Sequence, residues 1–491
     1  MSATPDFVLA IDIGTQTTRA ALVTADGAVT DCATSAVSLF APRPGWAEQD
    51  PMDWWRASVT NIRTVVARNP SAVIRAVGTG AQMHSAVPVD TAGEPLISRV
   101  GLWSDKRPSA QVEAFQARSD AGRLGAMAAN VPLPAWAGFK MAWFRDELPG
   151  VYERAKAFVV PKDFVNLQLC GELATDPSEA SGTFLADAAT GEWSPDLVAA
   201  LGLDADLLPP IRDSGKVIGQ VRAEVSEQTG LPTGTPVVAG GGDMLCQLLA
   251  AGVCRPGQLA EVAGTASIVA GHAATAHPDP RVMSLRTVSG GWANFGIGDS
   301  AGNCLRWLSA RVGASYRELD AEAEVVPEGS GGLLFFPYLL GERTLGSAGS
   351  RGSFIGLTLE HGKGHLARAI MEGICFENRR ALDLIGGRAG ATLRCTGGGA
   401  RSPLWNQIRA DIYERPVSVL AAREGGITGA ALLAGVGAGW YDDAAGAAER
   451  LVGASPAWQP RTGSVARYRA AYEAFRSVHD ILDPGWARWF S

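Results

Sequence analysis

The sequence predicts an α/β protein of two large domains, and three observations carry that expectation. The chain has 491 residues, more than one hydrophobic core usually serves, so it should divide. A short apolar strand, a Gly-Thr turn and a second apolar strand open the chain and recur near its middle. Helical stripes fill the later part. Hydrophobic residues make up 46% and charged residues 19%, enough to build both cores and unlike a disordered chain.

Phe7 to Ile13 is a β-rich apolar run, Gly14 and Thr15 turn it, and Arg19 to Thr24 resumes before a second turn at Asp26 and Gly27, the pattern of a β-meander. Gln258 to Ala263 leads in the same way into Gly264 and Thr265, and Ser267 to Ala270 continues, which suggests an internal duplication. The Pro/Gly-marked stretch Thr229 to Pro236 introduces apolar Val237 to Ala239, three glycines at 240–242, Asp243 and a helical run from Met244 to Ala251. Leu366, Ile370, Ile374, Ala381 and Ile385 recur at helical spacing, as do Val465, Tyr468, Tyr472, Phe475 and Leu482 near the end, so two core helices are expected there. The expected division is 1–253, 254–445 and a helical appendage at 446–491.

The net charge of −7, without a Lys/Arg block, argues against nucleic acid or an anionic membrane as partner and favours small ligands. Seven scattered cysteines with no CxxC pair suggest neither a disulfide framework nor a zinc site, and so a reducing compartment. Met1 to Phe7 carries no basic residue and no apolar run is long enough to span a bilayer, so a cytoplasmic protein is expected.

Asp12-Ile13-Gly14-Thr15-Gln16-Thr17-Thr18-Arg19 offers a carboxylate at a strand end, a glycine, three threonine hydroxyls and a guanidinium, the parts that bind a polyphosphate. Taken alone, the same turn reads more readily as an ordinary hairpin whose Asp and Thr serve local backbone groups. A second turn, Gly264-Thr265-Ala266-Ser267, and the run Thr396-Gly397-Gly398-Gly399-Ala400 tip the reading toward a whole nucleotide. The alternative for the latter is a plain strand-to-helix turn. Lys216 and Lys363, which follow glycines, are not followed by Ser or Thr, which excludes a P-loop, and GxGxxG spacing is missing from the first unit. Asp243 reads either as the cap of the helix behind it or as a carboxylate placed to accept a hydroxyl proton in phosphoryl transfer.

Assembled in this order, the motifs resemble the FGGY carbohydrate kinases over nearly the whole chain. Gly352-Ser353-Phe354-Ile355-Gly356-Leu357, followed after seven residues by His365-Leu366-Ala367-Arg368-Ala369-Ile370-Met371-Glu372, fits that family's C-terminal signature. Gln82-Met83-His84, Leu102-Trp103-Ser104-Asp105-Lys106-Arg107, Pro161-Lys162-Asp163, Ala174-Thr175-Asp176-Pro177-Ser178 and Gly397 to Trp405 are also similar.

The resemblance implies two ribonuclease-H-like domains of the actin-like ATPase type around a central ATP/sugar cleft. It implies an enzyme that moves phosphate from ATP to a sugar hydroxyl, within the family most like the kinases of ketopentoses, with D-xylulose as first expectation. Asp243 would be the catalytic base and touch the sugar and Mg²⁺, and Asp12 would hold Mg²⁺ through water. Gly14, Thr15, Thr17, Thr18 and Arg19 would meet the phosphates, with Gly264 and Thr265 as the second phosphate turn. Gly302 and Arg306 would lie near the nucleotide, and Gly398 and Gly399 under the adenosine. Met83, His84, Trp103 and Asp105 would line the sugar pocket, and the family leans toward homodimers.

Met244 stands where an Asn is usual, Ser85 where a Gly is usual, and Ala137 where a small hydroxyl residue or Pro is usual. The first two border the expected sugar site, and loss of an amide there should shift the preferred sugar. His272 and His277 have no metal-like partners in the sequence and receive no role. The competing classes are a kinase for ribulose, another ketose or a sugar alcohol, a non-catalytic sugar or nucleotide sensor, and an ATPase acting on protein partners.

Overall fold

The structure is a computed structural model that describes residues 6–342, 345, 349–387, 390–420, 425–452 and 457–489; most of the opening Met1 to Phe7 stretch lies outside them. The chain forms two compact units. The first comprises Met1–Cys254, Leu285–Trp292 and Arg423–Gly453, and the second Arg255–Ser284, Ala293–Ala422 and Ala454–Ser491. The chain therefore returns to its first unit late, a connection the expected division at 253 and 445 did not contain.

The first unit is built on a mixed sheet in the order Val29–Ala36, Thr17–Val23, Asp6–Ile13, Val73–Ala81, Pro236–Val238, Val217–Gln220. The first three form the antiparallel meander that the alternating runs predict, and Asp6–Ile13 then pairs in parallel with Val73–Ala81. Side chains alternate across a strand. Leu9, Ile11 and Ile13 therefore face one way, into a core with Trp54, Ile62 and Val65 of the helix Pro51–Arg68. Val8 and Ala10 face the other, toward Ile427, Ala430 and Ala434 of the helix Gly425–Gly437. That late helix has no polar stripe because it is covered on nearly every side, with Gly426 to Gly435 all buried. It lies so close to the sheet that a Cβ on Gly78 would overlap the Ala430 carbonyl.

The second unit repeats the plan. Its sheet runs Met283–Arg286, Trp292–Gly298, Ser267–Ala273, Leu259–Ala263, Leu393–Thr396, Val417–Val419, Ala457–Trp458. Leu259–Ala263 pairs antiparallel with Ser267–Ala273 across the Gly264-Thr265 turn and in parallel with Leu393–Thr396. The recurrence read from the two Gly-Thr turns is thus a recurrence of topology. The expected core helices are present as Lys363–Ile385 and Thr462–Trp489, and Tyr468, Tyr472 and Phe475 of the second join Phe336 and Phe376 in the core. No described helix is long and apolar enough to cross a membrane.

Candidate active site

In the first unit the site grows from the end of the strand Asp6–Ile13. The Gly14 N–H donates to Thr17 O at 2.9 Å and closes the hairpin. A Cβ on Gly14 would stand 3.1 Å from that same oxygen, so glycine suits the turn. Thr15 Oγ1 donates to Gln82 Oε1 at 3.1 Å and accepts from Trp103 Nε1 at 3.3 Å, while Gln49 Nε2 donates to Thr15 O at 2.8 Å. Gln82 Nε2 completes the brace at Gln49 Oε1. The turn is thereby tied to two of the segments that carry the expected sugar residues.

Successive residues of Thr17–Val23 point to opposite faces. Thr17 and Arg19 share the partly exposed face, whereas Thr18 is fully buried and its hydroxyl has no partner among the described residues. Of the threonines expected at the phosphates, Thr18 is the one the fold turns away. Arg19 Nη2 donates to Asp12 Oδ2 at 2.5 Å. The helix Gly425–Gly437 begins against this carboxylate, since a Cβ on Gly426 would stand 2.6 Å from Asp12 Oδ1. A helix N-terminus favours negative charge.

Asp243 is the first residue of the helix Asp243–Ala250 and not its cap, which is Gly242. Its Oδ1 accepts the Met244 N–H at 2.6 Å. Its Oδ2 takes no hydrogen bond from the described residues. Burial pushes the carboxyl up to about 7, the charge of Asp12 pushes the same way, and the Met244 N–H pulls against both. Two neighbouring carboxylates of this kind suit a hard cation with oxygen ligands. Among the described residues no group of three or more His, Cys, Asp or Glu side chains could hold a metal ion.

The three glycines before Asp243 are tightly enclosed. Gly240 adopts φ 78° against the Thr79 backbone, where a side chain would be strained and would collide. Gly241 meets Val288, and a Cβ on Gly242 would lie 2.5 Å from Met83 Sδ. The Gly242 N–H donates to Ser178 Oγ at 3.0 Å. Behind Ser178 lies a buried charge cluster in which Lys162 Nζ contacts Asp163 and lies 3.1 Å from Asp176. Asp176 also accepts from Ser178 N at 3.0 Å and Ser214 Oγ at 2.8 Å. The Pro161-Lys162-Asp163 and Asp176-Pro177-Ser178 motifs therefore meet behind the glycine turn.

His84 has φ 73°, rare outside glycine. Its Nδ1 bonds Gly182 O at 2.9 Å and its ring stands edge-on to Trp136 at 5.0 Å. A carbonyl partner requires Nδ1 to carry the proton, so the neutral ring presents Nε2 as an acceptor. Trp103 is 40% exposed, as a wall residue of an open pocket would be. Met83 is almost fully buried against Gly242. Asp105 departs from expectation. It is buried, and its two oxygens accept from Ala47 N, Arg107 N, Arg107 Nε and Arg107 Nη2 at 2.7–2.9 Å. Four bonds use the ordinary capacity of a carboxylate, so Asp105 organises Arg107 and offers nothing to a ligand.

In the second unit, the Gly264 N–H donates to Ala266 O at 2.9 Å and the Asn303 N–H to Thr265 O at 3.3 Å. A Cβ on Gly302 would overlap the Gly264 carbonyl, so the helix Ala301–Val312 starts at the turn and directs its N-terminus to it, an arrangement that suits anions. Arg306 lies on the same helix, exposed, with Nη2 on Asn303 Oδ1 at 2.5 Å. Gly397, at φ 93°, abuts Ala263. Gly398 faces open space, and Gly399 is enclosed by Ala263, Trp405 and Arg409. The two glycine elements thus sit together at the carboxyl ends of adjacent parallel strands, where ligands bind in sheets of this type. The sequence reading singled out neither Gly425 and Gly426 nor the Glu261 and Arg409 pair beneath the 397–399 loop. A glutamate inside the apolar run Leu259–Ala263 was the available signal for that pair.

Two units that each open with an antiparallel pair joined by a glycine turn and continue in parallel from the first strand define the actin-like ATPase fold. The N-terminal domain model of the FGGY family of carbohydrate kinases matches residues 7–250, and its C-terminal domain model matches residues 259–438. The chain belongs to this family and is an ATP-dependent sugar kinase. It is 30% identical to the xylulose kinase of Bacillus subtilis (strain 168) over 487 residues, 96% of either chain. It is 27% identical to the gluconokinase of the same organism, covering 97% of this chain and 96% of that one. The crystal structure of xylulose kinase from Rhodospirillum rubrum superposes with a TM-score of 0.91 at 31% identity, covering 98% of this chain and 99% of that one.

Proposed function

We propose that the protein phosphorylates a hydroxyl of a ketopentose, D-xylulose first, with Asp243 as the base. The observation that carries the reading is the Asp243 carboxylate itself: one oxygen is fixed by Met244 N–H, the other takes no bond from the described residues, and its proton affinity lies near neutrality. A general base works best with a pKa near the operating pH. The sugar hydroxyl oxygen forms a bond to the terminal phosphorus of ATP, its proton passes to Asp243 Oδ2, and the bond to ADP breaks. Little covalent chemistry is asked of the protein, so positioning and charge account for most of the rate.

Gly14, Thr15, Thr17 and Arg19 serve the phosphates from the first unit. In the second unit, Gly264 and Thr265, with the helix starting at Gly302, are its phosphate turn, and Gly398 and Gly399 take the adenosine. Asp12, through water, and Asp243 would hold Mg²⁺, which supplies positive charge at the phosphate oxygens. Met83, His84 through Nε2, and Trp103 border the sugar.

D-Xylulose is supported by near full-length similarity to a xylulose kinase, whereas the gluconokinase relative and the thioether of Met244 beside the base support a shifted acceptor. Release of ADP, measured across ketopentoses, ketohexoses, gluconate and sugar alcohols, decides among them. The highest kcat/KM should fall on D-xylulose, and a gluconate or polyol value tenfold higher would reassign the acceptor. No sugar-dependent ADP release from any of them would leave the sensor reading in its place.

A further inference from the structure

Glu261 and Arg409 form an ion pair inside the second unit, both side chains fully buried, with Arg409 Nε 2.9 Å from Glu261 Oε1. Glu261 occupies the strand Leu259–Ala263 that ends in the Gly264-Thr265 turn, and its Oε2 accepts from Tyr413 Oη at 2.8 Å. Arg409 comes from the helix Pro403–Tyr413. Its Nη1 donates to Gly399 O and to Asn406 Oδ1, each at 3.1 Å, and its guanidinium lies 4.5 Å from the Trp405 ring centre. Asn406 Nδ2 in turn donates to Ala400 O at 2.8 Å. Arg409 Nη2 has no partner among the described residues and lies 3.3 Å from where a Cβ on Gly399 would stand.

A buried ion pair is a poor device for stability alone, since apolar residues of the same size often do as well or better. What the planar guanidinium adds is direction: several donors fixed in one plane can hold a carboxylate and a carbonyl at once. Here they join the strand under one glycine element to the carbonyl of the other. We propose that Arg409, held by Glu261, is a positioning residue that fixes the 397–399 loop against the Gly264-Thr265 turn and thereby sets the affinity for adenine nucleotide. The inference rests on the reading that these two elements hold ATP.

Two variants separate positioning from stability. Arg409→Lys keeps a cation beside Glu261 but loses the fork that reaches Gly399 O. The double variant Glu261→Leu/Arg409→Leu removes the buried charges together and restores an apolar core. Loss of one charge-assisted hydrogen bond corresponds to about a tenfold change in affinity. KM for ATP and Kd for ADP by calorimetry should therefore rise about tenfold in both variants, with KM for D-xylulose changed less than about twofold. In the double variant this should hold even where its Tm equals that of the unaltered protein. Folded variants with unaltered ATP and ADP affinity, or with both substrate KM values moved together, would overturn the positioning role. Failure of the unaltered protein to bind ADP would instead remove the nucleotide reading itself.

Discussion

Replacing Asp243 with Asn exchanges the carboxylate for a neutral amide of nearly the same shape, and the structure sets opposite effects on stability and on turnover. The carboxyl rises from its ordinary 3.8 to about 7, first through burial and next through the charge of Asp12. Raising the folded value means that the fold prefers the protonated group. Its stabilisation is fully present below pH 3.8 and is lost as pH rises through about 7. Each tenfold in proton affinity is worth about 1.4 kcal/mol, so the strain at pH 8 has an upper value of about 4 kcal/mol. The side chain is only partly buried by area, and allowing for solvent leaves about 2 kcal/mol. Asp243→Asn should therefore melt several degrees higher than the unaltered protein at pH 8, without Mg²⁺ or nucleotide, and at the same temperature near pH 4. It should lose about 10²- to 10⁴-fold in kcat while KM for the sugar and for ATP stay within a few-fold. Calorimetry at the two pH values and coupled ADP release measure both sides. Equal or lower stability at pH 8, or a kcat within tenfold of normal, would refute the assignment of this carboxylate as a buried, strained base.

The same carboxyl predicts that kcat/KM for the sugar falls as pH drops, because the base must be unprotonated, with a midpoint below the metal-free value of about 7 once Mg²⁺ is bound beside it; a profile that rose toward acid pH would point to another acceptor. Gly426→Ala forces a methyl group to within 2.6 Å of Asp12 Oδ1 and should cost about 1–3 kcal/mol in chemical denaturation, with a larger loss of activity than Gly150→Ala on the open surface. Ser178→Ala removes the acceptor for the Gly242 N–H. That should cost about 1–3 kcal/mol for the orphaned donor and lower kcat more than either KM, whereas Ser178→Thr, which keeps the hydroxyl, should recover most of the loss.

The opening strands of both sheets, both glycine turns and the two core helices could be read from local signals: period-two runs, Gly-Thr turns and apolar stripes at helical spacing. Thr18 could have been read correctly too. Thr17 and Arg19 share one strand face and Thr18 the other, so the strand period that revealed the meander also separates one threonine from the phosphate set. Asp105 was not legible, because its role depends on Arg107 and Ala47 filling its acceptor sites, a fact of tertiary packing. Nor was the helix Gly425–Gly437, whose glycines and alanines lack a polar stripe and whose place on the first sheet is set by contacts with residues far earlier in the chain.

Two of the buried charge clusters have a common position. Lys162, Asp163 and Asp176 lie behind the 240–242 turn, joined to it through Ser178, and Glu261 with Arg409 lies under the 397–399 loop. Glycine turns can approach a phosphate or a sugar because they carry no side chain, but the same lack leaves them with the largest freedom to lose and with no side chain to pack. Hydrophobic contact, which is non-directional, cannot fix where such a backbone points. Hydrogen bonds from groups that are themselves locked by charge can, and burial strengthens them as water is excluded. Each unit thus spends desolvation energy behind its glycine element, and the return is a backbone whose N–H and C=O directions are set before any ligand arrives.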